Sequence, residues 1–398
     1  MVKVKAAASD MALNIVATLV PMISLQLVIL PLISRSMDAD AYGIAVAVIA
    51  LFGLIPLTLG NVINNVRLLR NQDYADKGVS GDFPILTAVL ASIAAVCTGV
   101  CSWFSGETSL TELAVISLGS FLMLVREYLV VEYRISINYR AILFANIWQA
   151  AGQLLGLAIF FLTGLWSSIY LMAYLVSDVY LLRTTALWKE PFALTAEFRH
   201  TLNDTASLGL ANFFNKLTNY ADRLILIPLA GASAVAVYYV SCLFGNALSL
   251  IISPINNVLL SYLAKEKQST NKGFYLALIS GALLCLLGYF LTLLVARPLI
   301  ALLYPQFVDA AMEYVPVSTA AAYVMVLSNI ANPFVMRFCD LRWQTVLNGV
   351  FCAAFFILAL SGFSCAGVFG FCCGVLLANA TRLVLVVLVY QKRVQKSV

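Results

Sequence analysis

Apolar residues run through this chain in long blocks separated by short polar segments. The blocks fall at 11–34, 41–65, 83–104, 110–131, 141–163, 165–187, 205–229, 233–260, 273–296, 315–336, 343–361 and 365–390. Each has the length an α-helix needs to cross the hydrocarbon core of a bilayer. An open sheet cannot satisfy its backbone in lipid, and a barrel would show alternating strands of about ten residues. The pattern therefore predicts an all-α polytopic membrane protein of about twelve transmembrane helices.

The polar segments between the blocks set an orientation. With the N-terminus in the cytoplasm, eighteen of the 24 lysines and arginines fall in cytoplasmic segments. Only Arg35 and Arg297 fall on the opposite side, and Arg126, Lys216, Arg223 and Arg382 lie within spans. This is the asymmetry of the positive-inside rule, and a missed span would scramble it. Both termini are expected in the cytoplasm. Ala6–Asp10 precedes the first block, where a signal-peptidase site would follow it, so the first span is expected to stay as an uncleaved anchor.

A repeat divides the chain. Leu51-Phe52-Gly53 and Ile63-Asn64-Asn65-Val66 in the second span recur as Leu243-Phe244-Gly245 and Ile255-Asn256-Asn257-Val258 in the eighth. Six spans separate the copies, so they share an orientation. This predicts two parallel six-helix lobes around a central cavity. The expected organisation is an N-terminal lobe over 1–187, a cytoplasmic linker over 188–204 and a C-terminal lobe over 205–398.

Composition narrows the classes further. Hydrophobic residues make up 62% and charged residues 11%, against about 25% charged in soluble domains. The net charge of +5 is spread along the chain, with no basic block interleaved with aromatics, so nucleic acid is not an expected partner. Six of the nine cysteines (Cys97, Cys242, Cys285, Cys352, Cys372, Cys373) lie inside apolar runs and read as small packing residues. The single histidine, His200, sits in the linker, so no metal centre is expected. A Gly-rich phosphate loop, a nucleophile elbow and an H-E-x-x-H motif are all missing from the sequence. No cofactor and no enzymatic activity are expected.

The informative residues are the charges inside spans. Arg126, Lys216, Asp222, Arg223 and Arg382 would together cost on the order of 12–17 kcal/mol if all faced lipid. The seventh span places Asn212, Asn215, Lys216, Asn219, Asp222 and Arg223 at steps of three and four, along one stripe of a helix. Such a stripe lines a hydrated cavity or forms a polar network between helices. By depth, Arg126 and Arg382 lie toward the cytoplasm, Lys216 near mid-membrane and Arg223 toward the far side. That ladder suits an anionic cargo; the alternative for Arg126 and Arg382 is snorkelling to the headgroups. Asn379 lies one turn before Arg382. Asp178, Glu127 and Asp222 are candidates either for a coupling ion or as charge partners of the arginines. Pro21, Pro31, Pro228 and Pro254 mark sites where a helix kinks or ends.

Asn14 through Pro21 and Pro31 to Arg35, followed by Tyr42-Gly43, resembles the opening of the polysaccharide-transporter branch of the multidrug/oligosaccharidyl-lipid/polysaccharide exporter superfamily, the Wzx-type O-antigen flippases in particular. Asp222-Arg223 followed by Gly231 and Tyr238 is similar to the pattern opening the second half of such proteins. The resemblance implies a flippase in the bacterial inner membrane. Its cargo would be a polyprenyl-pyrophosphate-linked oligosaccharide, translocated to the periplasmic leaflet by alternating access. It also implies membrane lipid as a partner, H+ or Na+ as coupling ion, and polysaccharide polymerase machinery nearby. Lys216, Asp222 and Arg223 match the seventh-span pattern, whereas Arg126 and Arg382 rest on depth alone.

Two other readings compete. A drug or organic-cation antiporter of the same superfamily needs cavity carboxylates, and none lies between Leu13 and Ser34. A membrane glycosyltransferase or O-antigen polymerase needs a large external catalytic loop. The longest external segment, 297–315, holds only Arg297, Asp309 and Glu313 as charged residues.

Overall fold

The computed structural model describes residues 2–107, 109–243, 245, 271–339 and 342–396. Every element among them is helical: α1 (Val2–Ile23), α2 (Leu30–Ser36), α3 (Ala39–Leu54), α4 (Pro56–Lys77), α5 (Asp82–Phe104), α6 (Leu110–Ile135), α7 (Tyr139–Thr163), α8 (Ser168–Thr184), α9 (Phe198–Ala230), α10 (Ala232–Leu243), α11 (Asn271–Leu303), α12 (Val308–Phe338) and α13 (Arg342–Lys396). Among the described residues eight helical segments are long and apolar enough to cross a membrane, and the chain is a multi-pass membrane protein. The other expected spans have identifiable reasons for falling short. α8 has 17 residues, α9 carries the polar stripe, and α10 stops at the edge of the described residues. α13 consists of two helices, divided where Ala366 and Gly367 leave helical geometry, and is counted as one of the eight segments.

Local chemistry sets the helix boundaries. Asp38 accepts from the Ala41 amide at 2.7 Å and caps α3, Ser109 caps α6, and Asn138 caps α7. The second predicted span is broken at Ile55, immediately before Pro56, whose ring cannot continue the ladder. The first span is likewise interrupted. Pro21 lies at the end of α1, a π-helical segment Ser24–Ile29 follows, and Pro31 opens α2. The second copy of the repeat, including Pro254 and Ile255–Val258, lies outside the described residues.

The chain forms two compact units, Met1–Pro228 and Leu229–Val398. The first is centred on Val62, Ile63 and Val66 of α4 with Leu124 and Val131 of α6 and Leu181 of α8. The second has an aromatic centre at one end, where Phe274 stacks on Tyr390 at 3.9 Å with Phe334 edge-on. Exposed apolar side chains are most continuous along α11, at Leu276, Ile279, Leu283, Leu287 and Leu294. Their spacing of three to seven residues puts them on one broad face, as expected for a surface solvated by acyl chains.

Candidate functional site

In the first unit, Arg126 stands on α6 with 6% of its surface exposed. A guanidinium at this depth needs acceptors on all its edges, and three elements supply them. Its Nε donates to Ser177 Oγ of α8 at 3.0 Å, its Nη1 to Glu127 Oε1 at 2.8 Å, and its Nη2 to Asn146 Oδ1 of α7. Asn146 in turn donates to the Ala17 carbonyl of α1 at 2.7 Å. One turn along, Asn64 of α4 donates to the Glu127 carbonyl at 2.6 Å, and Arg134 donates to Asn64 and Asn65. The asparagine pair of the repeat therefore holds an arginine at the end of α6.

Asp178 follows Ser177 on α8 and is 3% exposed. Neither of its carboxylate oxygens has a hydrogen-bond partner among the described residues. Arg126 directs its donors to Ser177, Glu127 and Asn146 instead. The two residues are neighbours in the same cluster, but they do not form an ion pair.

The α9 stripe is partly accessible. Asn212, Lys216, Asp222 and Arg223 are half-buried and Asn219 is exposed, while the Asn215 side chain lies outside the described residues. Lys216 makes no ion pair among the described residues, and Asp222 accepts from the Arg223 amide at 2.9 Å. Tyr220, on the same helix, presses its ring onto Gly53 of α3. A Cβ at position 53 would overlap the ring carbon Cζ, so a side chain there cannot coexist with Tyr220 as placed. This contact explains the glycine of the Leu51-Phe52-Gly53 motif.

The second unit treats its arginine differently. Arg382 of α13 is 8% exposed, and its Nη1 donates to Asn329 Oδ1 of α12 at 3.0 Å and lies 2.7 Å from Met325 Sδ. Its guanidinium stands 5.3 Å from the centre of the Phe351 ring. No carboxylate lies within ion-pair distance among the described residues, and Nε has no partner. Asn379 donates to the Ala321 carbonyl at 2.9 Å, tying α13 to α12.

Outside the spans, a second polar network holds the α8–α9 linker to the first unit. Glu132 accepts from the amides of Ala186 and Leu187, and Arg67 donates to Glu190 Oε1 at 2.5 Å. Asp82 accepts from Thr195 through both its amide and its hydroxyl, and from Tyr74. Lys77 pairs with Glu197 at 2.7 Å, and Arg70 with Asp204 at 2.6 Å. Burial pushes the Glu190 carboxyl up, against the pull of Arg67, whereas the Lys77 hydrogen bond holds Glu197 below the usual range. In the sequence Arg67 reads as one more orientation charge. No local signal marks it as buried, because its partner lies 123 residues away.

With this geometry in place, the architecture can be compared with known ones. No protein-family model and no curated protein matches the chain, but solved structures match it over nearly its whole length. The chain shares its fold with them, and two are described as transporters of the MOP superfamily. One is the lipid II flippase MurJ in an inward closed conformation, at a TM-score of 0.73 and 11% identity, covering 95% of this chain and 87% of that one. Another is an inward-facing multidrug resistance MATE transporter, at a TM-score of 0.68 and 13% identity, covering 96% of this chain and 95% of that one. A third is a MOP superfamily transporter from Pyrococcus furiosus Vc1, described as having a binding pocket of reversed polarity. It matches at a TM-score of 0.63 and 13% identity, covering 98% of this chain and 96% of that one.

Proposed function

We propose that this protein is a flippase of the bacterial inner membrane, with about twelve spans and both termini in the cytoplasm. Its cargo is a polyprenyl-pyrophosphate-linked oligosaccharide of the O-antigen type, carried to the periplasmic leaflet by alternating access. The observation that carries the reading is Arg382: a cation almost fully buried among helices, with an amide, a thioether and an aromatic face around it but no carboxylate among the described residues. Leaving a buried charge uncompensated costs several kcal/mol, and an anionic head group offsets that cost. Lys216 is a second cation with no ion pair among the described residues, half-buried rather than sealed, and the α9 stripe supplies Arg223, Asn212 and Asn219 beside it. Arg126 is already neutralised inside the first unit, so its role is to hold α1, α6, α7 and α8 together rather than to meet cargo. The lipid II flippase among the structures of like fold supports the reading.

Asp178 is the candidate for the coupling ion. An ionised carboxylate sealed from water without hydrogen bonds is costly, and a bound proton or Na+ removes that cost. The same residue favours the second reading, an organic-cation antiporter, since MATE transporters share the fold. Complementation separates the two. Expression in a strain lacking its own flippase restores surface polysaccharide, and Lys216→Ala or Arg223→Ala abolishes it while the protein remains inserted. Drug resistance without polysaccharide would favour the antiporter.

A further inference from the structure

The linker between α8 and α9 presents two unlike sides. Its inward side is pinned repeatedly to the first unit. Glu132 caps its first turn, Leu187 is buried, Arg67 holds Glu190, and Asp82 holds Thr195. Between these points the backbone of Pro191–Ala193 lies directly on Gly81. That glycine has φ +127, and a Cβ there would sit 2.5 Å from the Ala193 carbonyl oxygen. The segment is therefore fixed, and the direction of its other side chains is fixed with it. Those side chains are large and apolar: Trp188 is 48% exposed, Phe192 71% and Leu194 65%. Leaving them in water forfeits the stabilisation that burial of apolar surface gives.

Position and charge identify what covers them. The linker begins directly after the last turn of α8, which carries Arg183. Arg140, Arg183 and Lys189 are exposed at the same end, and the Lys189 ammonium lies 5.5 Å from the centre of the Trp188 ring. Tryptophan and phenylalanine interleaved with lysine and arginine suit the headgroup region of an anionic leaflet. We infer that Trp188, Phe192 and Leu194 form an interfacial anchor that enters the headgroup–acyl boundary of the arginine-rich side of the bilayer. The occupant is lipid of the surrounding membrane, so this inference stands on the membrane assignment alone and not on the identity of the cargo.

Tryptophan fluorescence tests it. The wild-type protein and a Trp188→Phe variant are reconstituted into phosphatidylglycerol-containing vesicles, and their difference spectrum isolates Trp188 without disturbing the buried Trp166. An anchor about 5–10 Å deep predicts blue-shifted Trp188 emission that loses roughly half its intensity to phospholipids brominated near the headgroup end of the acyl chain. It also predicts little quenching by aqueous acrylamide. Emission quenched by acrylamide and untouched by bromolipid would overturn the inference. So would emission that shifts only when the protein-to-lipid ratio rises, which would mean that a second copy covers the segment. A second readout uses Phe192→Asp with Leu194→Asp, both exposed positions whose change leaves the fold intact. The pair is expected to return Trp188 to acrylamide access, and unchanged lipid quenching would contradict the anchor.

Discussion

Arg126 and Arg382 are the same residue type at similar burial, one in each compact unit, and their surroundings differ in kind. Arg126 has a carboxylate, an amide and a hydroxyl drawn from its own and two other helices, so its charge is cancelled where it stands. Arg382 has an amide, a sulfur and a ring face, none of which carries a negative charge. A buried, satisfied arginine is a structural clasp. A buried arginine without a counter-charge is strained electrostatically, and proteins retain such groups where a ligand completes them. The contrast extends to Asp178 of the first unit, whose carboxylate has no hydrogen-bond partner among the described residues.

Mutations can break that contrast. The largest effect is expected from Arg126→Ala, which strips the clasp and leaves Glu127 beside Asp178. Thermal unfolding in detergent should show a loss of about 3–5 kcal/mol. Arg382→Met should go the other way. Removing a charge that no described carboxylate neutralises should leave stability unchanged or raise it by up to about 4 kcal/mol, while transport is lost. Equal destabilisation by both changes would erase the distinction between the units. Gly53→Ala forces a Cβ into the Tyr220 ring and should cost about 1–3 kcal/mol, with recovery when Tyr220→Leu is added. Failure of the second change to rescue would mean that the glycine serves the α3–α4 break instead.

The smallest effect concerns the linker. The folded-state value of Glu197 lies below its unfolded one. Its pairing with Lys77 therefore contributes fully above the ordinary carboxylate range and is lost as the pH falls through and below that range. The protection factors of the amides around Thr195–Asp204, measured against the intrinsic exchange rate at each pH, should fall on acidification, and Glu197→Gln should weaken that dependence.

The spans were legible because hydropathy over twenty residues is a strong local signal, and the α9 stripe because helical periodicity is equally local. The break at Ile55–Pro56 was hidden inside an uninterrupted apolar run, although Pro56 marks it in hindsight. What sequence alone does not reveal is pairing across helices. Arg126 and Arg382 look alike as lone arginines in apolar segments, and only the placement of Ser177, Asn146 and Glu127 around one of them separates a clasp from an open charge. Arg67 and Glu190 were hidden for the same reason.

Vesicle transport tests the central claim most directly. The purified protein, reconstituted with a fluorescent polyprenyl-pyrophosphate oligosaccharide, should move the lipid-linked sugar between leaflets chemically unchanged. Lys216→Ala and Arg382→Met should each slow this by about tenfold or more, a barrier increase of about 1.4 kcal/mol, while Trp188→Phe leaves it intact. Equal rates for wild type and both cation variants would contradict the account.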